Sequence, residues 1–248
     1  MSVQQYLKTE LFSVQGKINA LAKESGLGGE VIAIQADISN KAGISAFYDK
    51  ASKHIDALDL LVNNAGFSNN WRVQAPWSDP TPELEAKLWS IEDGDFAAMT
   101  GIHVAAPYFL AIKFLPMLKR SKDASIVNIT SMGALFLNRA CCEFAYAQSK
   151  AAEEHLTRLM AASLMPFKVR VNSVIPGMFP SQLTTTPDGT FFPPQQIAIK
   201  SIPKGRAGLL VEIAGPIMLF ATPAGAYLNG ISLIVDGGWM MTASANDV

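Results

Sequence analysis

Cysteine, clustered charge and long apolar runs are all scarce in this chain of 248 residues. Its 2 cysteines, Cys141 and Cys142, are neighbours, and Cα atoms across one trans peptide lie about 3.8 Å apart, below the usual disulfide range. A disulfide framework is excluded. The pair reads as reduced thiols, either lining a substrate cavity or, as small hydrophobes, buried. The 3 histidines, His54, His103 and His155, have no ligand spacing among themselves or with the cysteines, so no metal site is expected. Net charge is -1 and the 20 basic residues are scattered, which argues against nucleic acid or an anionic membrane surface as a partner. The opening residues hold no apolar signal-peptide core, and the greasiest stretch, His103 to Met117, is interrupted by Pro107, Lys113 and Pro116. It reads as too short to span a bilayer. A cytoplasmic location is the expectation.

What is present is a core-forming composition, with 49% hydrophobic against 17% charged residues. The length suits one large α/β domain. Strand-like runs at Glu30–Ala36, Leu58–Val62, Ser125–Ile129, Lys168–Val174 and Ile231–Val235 alternate with helix-like runs at Lys41–His54, Asp95–Leu118, Ala145–Met165 and Val211–Ala221. That alternation predicts βαβ units, a parallel sheet and helices on both of its faces. Two long connections, Gly66 to about Ile91 and Gly177 to Gly208, have the length of functional lids or binding loops. They carry Trp71, Trp77, Phe179, Phe191 and Phe192, which suits an apolar or aromatic substrate, though edge packing explains such aromatics equally well.

The chemistry centres on Tyr146-Ala-Gln-Ser-Lys150. On a helix two residues at this spacing share one face, and an ammonium nearby favours ionisation of a phenol. A free tyrosine pKa of about 10 is too high for efficient proton transfer near neutrality, so the positive neighbour makes Tyr146 a usable acid and base. Ser131, closing the strand before that helix, is placed to hydrogen-bond the same carbonyl oxygen.

Alone, a Tyr/Lys pair at this spacing is weak. Here it stands in order with Asn63-Asn64-Ala65-Gly66, Ile129-Thr-Ser131, Val171-Asn-Ser-Val-Ile-Pro-Gly177, Gly205-Arg-Ala-Gly208 and Val235-Asp-Gly-Gly-Trp239. By these residues the chain resembles the short-chain dehydrogenase/reductase family over about residues 30 to 241. The resemblance implies a doubly wound, Rossmann-like three-layer fold in a single domain, and an NAD(P)-dependent oxidoreductase interconverting a ketone and a secondary alcohol. Residues 178–208 would be the substrate lid. Tyr146 would be the acid/base, Lys150 would lower its pKa and bind the nicotinamide ribose, and Ser131 would position the carbonyl. Asn64, Ala65 and Gly66 would lie along the adenosine ribose, and Asp37 would cap the adenine side. Ile175, Pro176 and Gly177 would contact the nicotinamide, with Ser181 and Thr184 beside its carboxamide. NADP is the cofactor the resemblance favours, NAD the alternative, and a homodimer or homotetramer the assembly. Locally, Asn63 and Asn64 also read as turn formers, Asp37 as an N-cap for the helix at Lys41, and Pro176-Gly177 as a turn.

The chain departs from the family twice. Where the family's central helix carries an asparagine of the proton relay, this sequence has His103, which can relay protons through its two ring nitrogens or be structural. The glycine-rich turn between first strand and first helix, on which the pyrophosphate rests, is missing. Gly26-Leu-Gly28-Gly29 follows a helix-like run and precedes a strand-like one, the reverse of a phosphate cradle, and reads as a helix stop. The flanking residues look joined near Ile18-Asn19, as though one β-α-β crossover of roughly 30 residues had been removed by a skipped exon. Residues 1–29 would be the remnant, and the strand at Glu30–Ala36 is expected to slide inward and pair with Leu58–Val62. Two functions stay open. One is an active reductase. The other is a cofactor-deficient relative acting as an oligomer partner or binding protein. A third use of Tyr146, dehydration or cyclisation without hydride transfer, ranks below both.

Overall fold

The computed structural model describes residues 3–26, 28–69, 71–77, 80–137 and 143–242, with side chains from residue 11 onward. Cys141 and Cys142 lie outside the described residues. The chain divides into two compact units, Met1–Ile55 and Asp56–Val248.

In the first unit helix α1 (Val3–Ser25) stops at Gly26, whose φ of 68° is the left-handed conformation that a helix end commonly requires and glycine adopts without strain. The expected stop is therefore present. The expected strand at Glu30–Ala36 is not. Its residues belong to no strand, and the inward slide against Leu58–Val62 does not occur. The physical reason lies in what satisfies the backbone. Val31 donates its N–H to Asn19 Oδ1 at 2.7 Å and accepts from Asn19 Nδ2 at 3.0 Å, while Ala33 donates to Gln15 Oε1 at 3.2 Å. Amide side chains on α1 supply the donor and acceptor that a neighbouring strand would have supplied. Helix α2 (Lys41–Ala51) is capped by Asn40, which accepts from Gly43 N at 2.9 Å. Asp37 is thus not the cap; it accepts from Ser39 N at 2.9 Å in the preceding turn.

The second unit is built on a parallel sheet of β1 (Leu60–Asn63), β2 (Ala124–Ile129), β3 (Val169–Pro176) and β4 (Ser232–Val235), in that order. Side chains alternate between the faces. On one face Val127 and Val174 pack with Phe220 of α8 (Leu210–Ala221). The other face is crossed by a polar row, because the register aligns Asn63 with Asn128, Asn128 with Ser173, and Ser173 with Ser232. Parallel sheets covered on both faces are normally apolar throughout, and a buried polar row has to be met by partners. The partners come from α6 (Phe144–Ser163). Asn63 Nδ2 donates to Asn128 Oδ1 at 2.8 Å and Asn128 Nδ2 to Thr157 Oγ1 at 2.8 Å. Ser173 and Ser232 both donate to Glu154 Oε2, at 3.0 and 2.6 Å. This network fixes the height of α6 over the sheet, and so the height of its first turn.

A second long helical stretch packs beside α6. It comprises α4 (Asp93–Thr100), a π-helical turn Gly101–Ala105, and α5 (Ala106–Leu118). At 26 residues this stretch is long and apolar enough to cross a bilayer by length and composition, which corrects the sequence expectation of a run too short to do so. Its side chains Leu110, Ala111, Phe114, Met117 and Leu118 are buried and α5 packs on β1 and β2, as in a core helix. The long connections also hold helices, α3 (Pro82–Trp89) in the first and α7 (Pro193–Ile199) in the second. A short α9 (Trp239–Thr242) follows β4.

Candidate active site

Tyr146 sits in the first turn of α6, which Glu143 caps. The Glu143 carboxylate, itself buried, accepts from Ala145 N at 2.8 Å and Tyr146 N at 3.2 Å. Ser131, past the end of β2, caps a 3-10 turn at Met132–Ala134 by accepting from Gly133 N at 3.1 Å, and that turn packs against α6. The elements carrying the hydroxyl and the phenol are thereby joined.

Lys150 lies one turn further along α6, with Nζ 6.0 Å from the centre of the Tyr146 ring. It is buried. The ammonium donates to Ile129 O at 3.0 Å and to Glu153 Oε2 at 2.8 Å. Burial pushes the Glu153 carboxyl up to about 7, partly offset by the neighbouring Lys150 charge. Neither Glu153 nor Glu154 stood out in the sequence, where adjacent acids on a helix read as a solvated face; the available signal was their place three and four residues after the lysine.

His103 occupies the π-helical turn, a local widening of the helix of the kind found at functional positions. Its ring meets the Tyr146 ring edge-on at 5.4 Å. His103 is completely buried, and burial followed by the Lys150 charge holds its pKa down to about 3, so the imidazole is neutral. Ser149 Oγ donates to Tyr146 O at 2.8 Å and lies 2.8 Å from His103 Nδ1. With its one proton so used, the hydroxyl accepts from Nδ1, which assigns the proton to Nδ1 and leaves Nε2 as an acceptor. Among the described residues Nε2 has no partner, and it faces Gly66.

Gly66, in the segment after β1, is hemmed in by the site. A Cβ there would lie 2.8 Å from His103 Nε2 and 3.8 Å from Lys150 Nζ, so only glycine lets the backbone come this close. Asn64 and Ala65 lead into it. The structure therefore brings together Gly66, His103, Tyr146, Lys150 and, through its turn, Ser131. Ile175, Pro176 and Gly177 close β3, with Gly177 N donating to Val235 O at 2.9 Å, while the Ile175 side chain is buried against Met132, Ile202 and Trp239. Ser181 and Thr184 are used in their own turn, where Ser181 N donates to Thr184 Oγ1 at 2.9 Å and Thr184 Oγ1 to Phe179 O at 2.6 Å. Asp37 belongs to the other compact unit.

An aromatic cluster flanks the start of α6. Trp71 meets Trp77 at 5.5 Å and Phe144 at 5.2 Å, both edge-on. The buried Lys87 lies 4.3 Å over Trp77 and donates to Ala75 O at 2.9 Å. Arg72 donates to both carboxylate oxygens of Asp95 and holds that carboxyl well below its usual range. Trp71, Arg72, Ala75 and Trp77 of the first connection are thus held by named partners.

A nicotinamide dinucleotide needs two things, a floor for its nicotinamide ribose and a cradle for its pyrophosphate. Gly66 and Lys150 suit the first. The second is not met by the described residues, since Gly28 and Gly29 lead into the extended segment held by Asn19 and Gln15 rather than joining a strand to a helix N-terminus. The described residues thus suit the nicotinamide end and offer no seat for the pyrophosphate.

A parallel sheet flanked by helices, with a Tyr/Lys helix over the end of its second strand, defines the class, and comparison with known proteins agrees. Residues 6–240 match the family model described as enoyl-(acyl carrier protein) reductase. The chain is 33% identical over 229 residues to the short-chain dehydrogenase/reductase PhomF of Diaporthe leptostromiformis, covering 89% of this chain and 78% of that protein. It is 31% identical over 217 residues to a rhamnolipids biosynthesis 3-oxoacyl-[acyl-carrier-protein] reductase of Pseudomonas aeruginosa, covering 85% and 77%. Among solved structures, the RhlG/NADP active-site complex of Pseudomonas aeruginosa superposes with a TM-score of 0.69 at 29% identity, over 90% of this chain and 82% of that one. The chain belongs to the short-chain dehydrogenase/reductase family, a family of NAD(P)-dependent oxidoreductases.

Proposed function

We propose that this protein carries the proton-transfer half of a ketone/secondary-alcohol oxidoreductase, with Tyr146 as the acid and base. The observation that carries the reading is the convergence of Tyr146, Lys150 and a neutral His103 on the glycine surface at Gly66. Ser131 holds the substrate oxygen, and the Tyr146 phenol gives that oxygen a proton or takes one from it. Lys150 favours the phenolate, and His103 Nε2 is an acceptor for a proton-relaying water. Trp71 and Trp77, packed on Phe144 at the start of α6, suit an apolar or aromatic carbonyl compound. NADP is the favoured cofactor by kinship, with NAD the alternative. Because the described residues offer the pyrophosphate no cradle, cofactor binding is expected to be weak.

The same absence favours a second reading, a cofactor-deficient relative that keeps the cavity and pairs with other subunits. Cytoplasmic location, a single functional domain and assembly as a homodimer or homotetramer belong to the proposal too.

The test is carbonyl reduction assayed with NADPH and with NADH at concentrations up to millimolar. The wild-type protein is expected to turn over slowly, and Tyr146→Phe to lose at least about a hundredfold in kcat/KM, the scale of a general acid. Turnover equal in the two proteins would overturn the role of Tyr146. No turnover at any cofactor concentration would select the second reading.

A further inference from the structure

We propose that Glu153 is a positioning residue of the proton-transfer site, holding the Lys150 ammonium against the end of β2 and damping the positive field that Lys150 exerts on the Tyr146 phenol. The inference rests on the reading of Tyr146 as the acid and base.

The geometry is specific. Lys150 and Glu153 meet at 2.8 Å, their side chains only 6% and 2% exposed. Two charges so far from water are retained only when paired, and removing one partner of such a pair strongly disturbs the other. The carbonyl of Ile129 takes a second ammonium N–H, so the cation is anchored on two sides. What reaches Tyr146 is then the field of a dipole rather than of a lone ammonium.

Among the described residues the other charged groups around α6 have their own places. On the elements packed against it, α4 brings Asp95, bound to Arg72, and an exposed Asp93; the π-helical turn brings the neutral His103; β3 brings Arg170, paired with Asp123. On α6 itself Glu143 caps the helix, Glu154 is held by the hydroxyls of Thr130, Ser173 and Ser232, and His155 and Arg158 are exposed. None of these touches the Lys150 ammonium. A carboxyl pushed up to about 7 is ionised over the range in which a phenol titrates, so the pair is charged when it matters.

The experiment reads the phenol directly and needs neither cofactor nor turnover. Phenolate ultraviolet absorbance is titrated in the full chain, and the Tyr146 contribution is obtained by subtracting the same titration with Tyr146→Phe. Glu153→Gln, which keeps the shape and an acceptor oxygen, is expected to lower the Tyr146 midpoint by about one pH unit. Lys150→Met is expected to raise it. In the Lys150→Met background the shift caused by Glu153→Gln is expected to shrink, because the carboxyl then has no buried ammonium to oppose and its own ionisation is disfavoured by burial. An unchanged or raised midpoint in Glu153→Gln, or the same shift with and without Lys150, would overturn the proposal. Loss of reductase activity would bear only on the functional reading; a midpoint shift stands without it.

Discussion

His103 Nε2 and the Cα of Gly66 face each other across a gap that admits no side chain, since a Cβ on Gly66 would lie 2.8 Å from the ring nitrogen. The imidazole is buried and fastened through Nδ1 to Ser149, so it cannot swing away cheaply. Gly66→Ala is therefore expected to cost about 1–3 kcal/mol of stability, the usual range for overpacking. Chemical denaturation of the two proteins checks this. A loss of less than about 0.5 kcal/mol would contradict the close approach of His103 to Gly66.

His103 should also leave a mark on the pH dependence of folding. Its pKa falls from 6.5 to about 3 on burial, so below the higher value the unfolded chain takes up a proton that the folded one refuses. Stability is unaffected above about pH 6.5 and is lost as pH falls towards 3, at up to about 1.4 kcal/mol per pH unit. His103→Asn should flatten that slope. Parallel stability curves for the two proteins between pH 6 and 4 would contradict the buried, neutral state.

Glu153 acts with the opposite sign. Burial raises its carboxyl from 4.5 to about 7, so the folded chain keeps a proton that the unfolded chain has released. Its contribution is fully present below pH 4.5 and is lost as pH rises through 7. Glu153→Gln should remove this loss, so its stability relative to the wild-type protein should rise between pH 5 and 7. A constant difference across that window would show that the carboxyl ionises as readily folded as unfolded.

The first compact unit can be tested by itself. Asn19→Ala removes both hydrogen bonds to Val31, and Gln15→Ala the one to Ala33. Amide exchange at Val31 should accelerate in the first variant and at Ala33 in the second, each without change at the other position. Unchanged exchange at both would mean that their protection comes from elsewhere.

Much of the second unit was legible because its signals are local. The apolar runs at β2 and β3 and the Tyr146/Lys150 spacing of α6 need no distant partner to be recognised, and the structure moves their ends by only a few residues. Glu30–Ala36 has an equally apolar run, yet a strand exists only when another strand lies alongside, and here two amides of α1 take the backbone groups. Helices α3 and α7 were hidden in stretches read as loops, although Thr81-Pro82 and Pro193 are ordinary helix openings, Thr81 accepting from Leu84 N at 3.3 Å. The buried partner of Lys150 escaped notice because charge in a sequence reads as surface, and only packing reveals a glutamate that is not.

We propose that the chain retains the proton-transfer site of its family, while its described residues offer no seat for the cofactor pyrophosphate. Titration of the purified protein with NADPH and NADH, followed by nicotinamide fluorescence, tests it most directly. The account predicts no saturation at micromolar cofactor, whereas saturable micromolar binding of either nucleotide would contradict it.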